Sequence, residues 1–265
     1  IMKKNKDQKI KVFNISERDS IKGNEYLQNL GLNPKTDWFV TLHIREGNYR
    51  KNETNENFRN CNPKDYIPAV KSVIENGGAV FRMGHRGSSE IIKHDKFFDY
   101  ANSDKKSEEM DIFLGARSKF SICTSSGYSI IPSIFNVPLL LTNCPNHNGF
   151  FELSHEDLYL PKLFKSYKNN ETIKIKNLFC PPYGNLFTDD LFKKFKLKVI
   201  DNTPDEIKNS TEEMIKKYVF NKNITSPLQE IINKKILDEQ KKINSSLVPV
   251  ANLSSTFLEK NRELI

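Results

Sequence analysis

Four short clusters in this chain carry residue types suited to holding an anion. In His43-Ile44-Arg45-Glu46 an imidazole and a guanidinium stand two residues apart, so on an extended chain both leave the same face and can reach one phosphate. Thr124-Ser125-Ser126-Gly127 is a hydroxyl-rich turn ahead of a short apolar stretch. Its amides and hydroxyls suit a phosphate cradle, and the same residues also suit a plain helix cap. Arg82-Met83-Gly84-His85-Arg86-Gly87-Ser88-Ser89 adds two guanidiniums among glycines, with Arg82 open to a ligand or to a packing salt bridge. Thr142-Asn143 is the fourth cluster. Two carboxylates lie near these in sequence. Glu46 is a candidate general base or a simple partner of Arg45 or Arg50, and Asp111 belongs to an acidic helix start from which it could orient His43 or Arg82. The 41 basic residues include only eight Arg, and six of them (Arg45, Arg50, Arg59, Arg82, Arg86, Arg117) fall in a stretch of fewer than eighty residues. Arg is the better bidentate phosphate ligand, so this confinement points to a site for a phosphate-bearing molecule.

The elements that would position these clusters alternate. Residues 37–44 form an apolar run rich in aromatic and β-branched types, read as a buried strand, and a charged, Asn-rich loop follows to Asn62. Tyr66, Ala69, Val70, Val73 and Ile74 share one helical face, stopped by Gly77-Gly78, and 79–84 is a second strand entering a glycine turn. Ser107 caps a helix carrying Met110, Phe113 and Leu114; strands follow at 120–123 and 137–141, with a short helix over 128–135 between them. Strands alternating with helices predict an α/β fold, a Rossmann-like parallel sheet flanked by helices, and every polar cluster falls at the carboxyl end of a strand, where such sheets bind ligands.

The flanks read less clearly. Residues 1–36 look like a lead-in segment or the remnant of a preceding domain, with a short helix near Asn24 to Leu30; 37–220 form the Rossmann-like domain; 221–265 hold a C-terminal helix after Pro227 and a polar tail. Residues 145–200 are irregular, with a short strand expected late in Phe192 to Ile200, and Thr203-Pro204 opens a helix running to about Tyr218.

Composition and absent motifs narrow the class. At 265 residues, with 37% hydrophobic residues and a net charge of +8, the chain can bury a full core. The surplus charge fits phosphates, nucleic acid or anionic lipid, but dispersed Lys and the lack of an aromatic-basic platform argue against nucleic acid. The four cysteines (Cys61, Cys123, Cys144, Cys180) have no metal or CxxC spacing and are expected as reduced thiols; no metal site is expected. Glycine fingerprints of dinucleotide folds, Walker loops, zincin and hydrolase motifs are missing, as is a DxD metal motif, since Asp189-Asp190 has the wrong spacing. A metal-independent reaction follows, in which Arg and backbone amides stabilise a departing diphosphate.

Taken in order, Val40-Thr41-Leu42-His43-Ile44-Arg45-Glu46, Arg59-Asn60 before Tyr66-Ile67-Pro68-Ala69, Phe81-Arg82-Met83-Gly84, Phe98-Asp99-Tyr100-Ala101, Met110-Asp111-Ile112-Phe113-Leu114, Thr124-Ser125-Ser126-Gly127 and Val137-Pro138 before Leu141-Thr142-Asn143 resemble a family of bacterial glycosyltransferases from surface-polysaccharide gene clusters. The match covers about residues 37 to 165. The resemblance implies a GT-B fold, with this chain as the carboxyl-terminal, donor-binding half; its His-x-Arg element is similar to that of fucosyltransferase-type enzymes. It further implies Arg45 and His43 at a nucleotide-sugar diphosphate, Arg82 and Gly84 lining the same cleft, and Ser125, Ser126 and Gly127 on phosphate or sugar hydroxyls.

The expected function is a hexosyltransferase-like enzyme moving a sugar from a nucleotide-sugar to a surface glycan such as capsule or lipopolysaccharide, on a glycan or lipid-linked acceptor and with no cofactor. Arg45, His43 and Glu46 would be catalytic; Arg82, Gly84, Asp111, Thr124, Ser125, Ser126, Gly127 and Asn143 would bind the nucleotide-sugar. The alternatives are a nucleotide-sugar hydrolase or epimerase on the same fold, or a non-catalytic nucleotide-sugar-binding module. Ile1 ahead of Met2, and only 36 residues before the first strand, lead to the expectation that an N-terminal acceptor domain is missing. No apolar run is long enough to span a membrane, so a cytoplasmic protein with at most peripheral contact at the inner membrane face is expected.

Overall fold

The structure, a computed structural model, describes residues 13–47, 54–145, 154, 156–222, 224, 226–243 and 251–265. In chain order it runs α1 (Glu17–Asn29), β1 (Phe39–His43), α2 (Ile67–Glu75), β2 (Ala79–Met83), β3 (Phe97–Phe98), α3 (Glu108–Arg117), β4 (Ser121–Thr124), α4 (Ile130–Ile134) and β5 (Leu139–Cys144). Then come β6 (Leu158–Pro161), β7 (Leu163–Ser166), α5 (Ile175–Leu178), α6 (Asp189–Lys194), β8 (Leu197–Ile200), α7 (Pro204–Tyr218), α8 (Pro227–Lys242), β9 (Asn252–Leu253) and α9 (Ser255–Lys260).

Seven strands form one sheet in the order β3-β2-β1-β4-β5-β6-β9, and every neighbouring pair is parallel. From β1 the chain steps outward one way through β2 and β3, and from β4 the other way through β5 and β6. The junction of β1 and β4 is therefore a topological switch point, where a crevice opens beyond the strand ends. Side chains alternate between two covered faces, as a parallel sheet requires. Val40 and Leu42 of β1 and Val80 of β2 pack in the cluster shared with α2 and α7, while Phe39 and Phe81 pack with Leu27, Phe113 and Leu114 of α1 and α3.

Local chemistry sets most boundaries. The Ser107 hydroxyl accepts from the Met110 amide at the start of α3, and Thr203 and Glu206 form a reciprocal capping box on α7. Gly77, at φ 91°, turns the chain out of α2 in a conformation that costs glycine little.

Three sequence readings change. The helix expected near Asn24 begins at Glu17, capped by Ser16, and it belongs to the core: Leu27 is buried and Gly23 lies so close to Phe113 that a Cβ there would sit 2.3 Å from the ring. The helix after Pro227 forms as α8, but residues 251–265 are no polar tail, since β9 pairs with β6 and the buried Glu213 of α7 accepts from the Ser255 amide and the Ser254 hydroxyl. The late strand forms as β8, yet it pairs antiparallel with β7, outside the main sheet. Among the described residues no helix is long and apolar enough to cross a membrane, and the four cysteines are unbridged.

Candidate functional site

A cavity of about 920 Å³ opens at the switch point, beyond the carboxyl ends of β1, β2 and β4. That volume is in the range of small-molecule sites. Its walls come from the segment after β1 (His43 to Gly47), a 3-10 turn at Thr54–Arg59, the turn after β2 (Gly84, His85, Arg86), the start of α3 (Lys106 to Asp111) and the turn after β4 (Ser126 to Tyr128).

Arg45 is held along both its backbone and its side chain. Its amide donates to Thr124 Oγ1 (2.9 Å), its carbonyl accepts from the Cys61 amide, its Nε donates to Asn60 Oδ1 (3.1 Å), and its Nη2 donates to Glu56 Oε2 (2.8 Å). Arg59 converges on the same carboxylate oxygen, donating from Nη1 at 2.6 Å, while its Nη2 donates to the Ser125 carbonyl at 2.8 Å. Two guanidiniums thus face one anionic group at the cavity wall, each with its side chain about a quarter exposed. Arg86 reaches the same space from the opposite turn, and Lys106 contributes an ammonium that Asp111 grips through both oxygens at 2.8 Å.

His43 is only partly exposed. Its Nδ1 lies 3.0 Å from Ser126 Oγ, and its ring stacks on Tyr128 with centroids 5.2 Å apart and planes 12° from parallel. Burial, reinforced by the nearby charges of Arg82 and Lys106, pushes its pKa from the ordinary 6.5 down to about 3. With that pKa the ring is neutral at physiological pH, and what it can offer a bound anion is a hydrogen bond and not a charge.

Seven sequence-predicted residues line the cavity: His43, Arg45, Glu46, Gly84, Asp111, Ser126 and Gly127. A Cβ on Gly127 would meet nothing within 4 Å, so its backbone is open to a ligand. The helix behind that turn, α4, has five residues, and so adds little dipole to the cradle.

Four predicted residues stand elsewhere. Arg82 has no exposed surface; it lies beneath the cavity floor, donating from Nη2 to Glu46 Oε1 and from Nη1 to the Met83 carbonyl at 2.8 Å. Burial draws its pKa down and Glu46 draws it back up. Glu46 is correspondingly not placed as a free base: its other oxygen accepts from the Ser89 amide at 2.9 Å, and its ion-pair partner among the described residues is Arg82 and not Arg45. Arg50 lies outside the described residues. Thr124 is buried as the acceptor for Arg45, and Ser125 faces inward with its carbonyl on Arg59. Asn143 is buried in a separate network, exchanging hydrogen bonds with Asn202 (2.6 and 2.7 Å) and donating to Tyr66 Oη. Asp111 is partly exposed and pairs with Lys106, so it orients neither His43 nor Arg82.

Sequence reasoning passed over Glu56, Arg59, Asn60, Arg86 and Lys106 as site residues. The confinement of arginine already marked Arg59 and Arg86; nothing local marked Glu56 or Lys106. Among the described residues no group of three or more His, Cys, Asp and Glu side chains is placed to hold a metal.

Fold and site together define a doubly wound α/β domain whose switch-point cavity is lined by four cationic side chains (Arg45, Arg59, Arg86, Lys106) and four carboxylates (Glu46, Glu56, Glu108, Asp111). No protein-family profile and no curated protein matches the chain. A solved glycosyltransferase of family 9 from Veillonella parvula is similar with a TM-score of 0.53 and 12% identity, over 77% of this chain and 53% of that one. ADP-heptose lps heptosyltransferase II from E. coli is similar with a TM-score of 0.49 and 14% identity, over the same shares. The chain spans about half the length of these structures, and with the first of them it shares the α/β fold.

Proposed function

We propose that this chain is the donor-binding half of a glycosyltransferase that moves a sugar from a nucleotide-sugar to a surface-glycan acceptor. The observation that carries this reading is the convergence of Arg45, Arg59 and Arg86 on one cavity at the sheet's switch point. Similarity of fold to a family 9 glycosyltransferase supports it.

In this reading Arg45 and Arg59 hold the diphosphate, the Ser126 hydroxyl and Gly127 amide contact its phosphates or the sugar, and neutral His43 adds a hydrogen bond. As the sugar leaves, negative charge grows on the diphosphate, and fixed guanidiniums stabilise it without reorganising. The side chains supply the countercharge, so the reaction is metal-independent. Glu46 is engaged by Arg82, and the carboxylate that deprotonates the acceptor comes from outside this half. A second reading, a binding module without turnover, is favoured by the ion pairing of Glu46, Glu56 and Asp111. It predicts the same binding and no product with any acceptor.

The test is a thermal titration of the chain with UDP, GDP, CMP and dTDP. One nucleotide should raise the unfolding midpoint, by about 2.7 kcal/mol of added stability at a hundredfold excess over Kd. Arg45→Lys should fold normally and lose most of that gain, because the charge stays while the fork is lost. No shift with any of the four, or an equal shift in Arg45→Lys, refutes the reading.

A further inference from the structure

Glu56 sits where the proposed phosphate would. Its Oε2 accepts from both Arg45 Nη2 and Arg59 Nη1, so one carboxylate oxygen occupies the focus of two guanidiniums at the cavity wall. We infer that Glu56 is a built-in competitor for the anion seat: its carboxylate fills the Arg45–Arg59 clamp and swings aside when a diphosphate takes its place. The inference rests on the donor-site reading above and adds to it the residue that sets the affinity and minimum charge of what binds.

Three observations favour exchange over a fixed structural role. The clamp is held without Glu56. Arg59 is anchored by its second nitrogen on the Ser125 carbonyl, and Arg45 by its backbone on Thr124 and its Nε on Asn60. The backbone is pinned just beyond Glu56, where the Asn57 and Phe58 amides both donate to the Asp189 carboxylate at 2.8 Å, so a side-chain rotation frees the seat while the turn stays in place. Charge also orders the two occupants. A singly charged anion would replace the carboxylate without gain, whereas a diphosphate brings more charge and paired hydrogen bonds to both guanidiniums. The seat therefore selects for multiply charged phosphates, diphosphates above all, over carboxylates.

An internal competitor lowers apparent affinity by the fraction of time it fills the seat, so removing its charge should tighten binding. Calorimetric titration of the full chain with inorganic diphosphate provides the readout. Glu56→Gln, which keeps the shape and a neutral acceptor, should lower the diphosphate Kd by about tenfold if the carboxylate fills the seat nine-tenths of the time. Glu56→Ala should move in the same direction, and the gain should vanish when Glu56→Gln is combined with Arg59→Ala. If the wild-type chain binds diphosphate and Glu56→Gln binds it equally or more weakly, Glu56 orders the clamp and the competitor role is wrong while the donor site stands. If neither the wild type nor any variant binds diphosphate or a nucleoside diphosphate, both fall.

Discussion

At the scale of single residues, the buried Arg82–Glu46 pair divides structural from ligand-facing charge. The Arg82 side chain has no exposed surface and that of Glu46 only 4%, so each ion depends on the other for its solvation. Arg82→Ala would leave the Glu46 carboxylate uncompensated and should cost about 3–5 kcal/mol in urea unfolding. Arg82→Met combined with Glu46→Gln removes both charges and should recover most of that loss. A double variant no more stable than Arg82→Ala would show that the pair's geometry, more than its charge balance, holds the site floor. The residue types in these clusters were legible in the sequence, and their division of labour was not. Arg45 just after β1 and Arg82 near the end of β2 look alike in the one-letter string; only the packed sheet sends one into the cavity and the other beneath it.

At the scale of elements, the site depends on a 3-10 turn that no regular helix or strand carries. Asp189, at the start of α6, accepts from the amides of Asn57 and Phe58 and from the Asn57 side chain (3.1 Å), across 132 residues of sequence. The pair Asp189-Asp190, set aside in the sequence for lacking metal spacing, thus has a different use. Asp189→Ala would strand two backbone donors, one of them on the buried Phe58, at a cost of about 1–3 kcal/mol. It should also weaken diphosphate binding by releasing the turn that carries Glu56 and Arg59. Asp190→Ala is the control: its exposed carboxylate pairs with Lys193, and its loss should change neither stability nor binding. Equal effects of the two substitutions would remove Asp189 from the positioning of the site.

At the scale of the whole molecule, two desolvated groups, His43 and Asp157, give stability opposite dependences on pH. His43 is held neutral, with its pKa lowered from 6.5 to about 3, so between those values the unfolded chain binds the extra proton and stability falls as pH falls. Asp157 accepts from the Leu139 and Ser154 amides (2.7 and 2.6 Å), yet burial outweighs these bonds and raises its pKa from 3.8 to about 6. Between 3.8 and 6 the folded chain holds that proton, and stability falls as pH rises. Urea midpoints across pH 3.5 to 7 should therefore separate the two in variants: Asp157→Asn steepens the acid loss by removing the opposing group, and His43→Gln flattens it. A His43→Gln chain that loses stability toward acid as fast as the wild type would place the titration elsewhere.

What the sequence determined by itself was local. Caps at Ser107 and Thr203, the apolar runs of β1, β2, β4 and β5, and the fall of polar clusters at strand ends are all written within a few residues, because short-range hydrogen bonding and side-chain alternation depend only on near neighbours. Weak periodicity hid the first turns of α1, whose buried face is little more than Gly23 and Leu27, and all of β9, whose two residues form a strand only because β6 is there to pair with. The tertiary structure decided which charges face a ligand. Glu46 meets Arg82 across 36 residues and Arg59 meets Ser125 across 66, and such partners are fixed by sheet order and burial. The energy of a charge depends on the groups and solvent that surround it in space, and spacing along the chain does not carry that information.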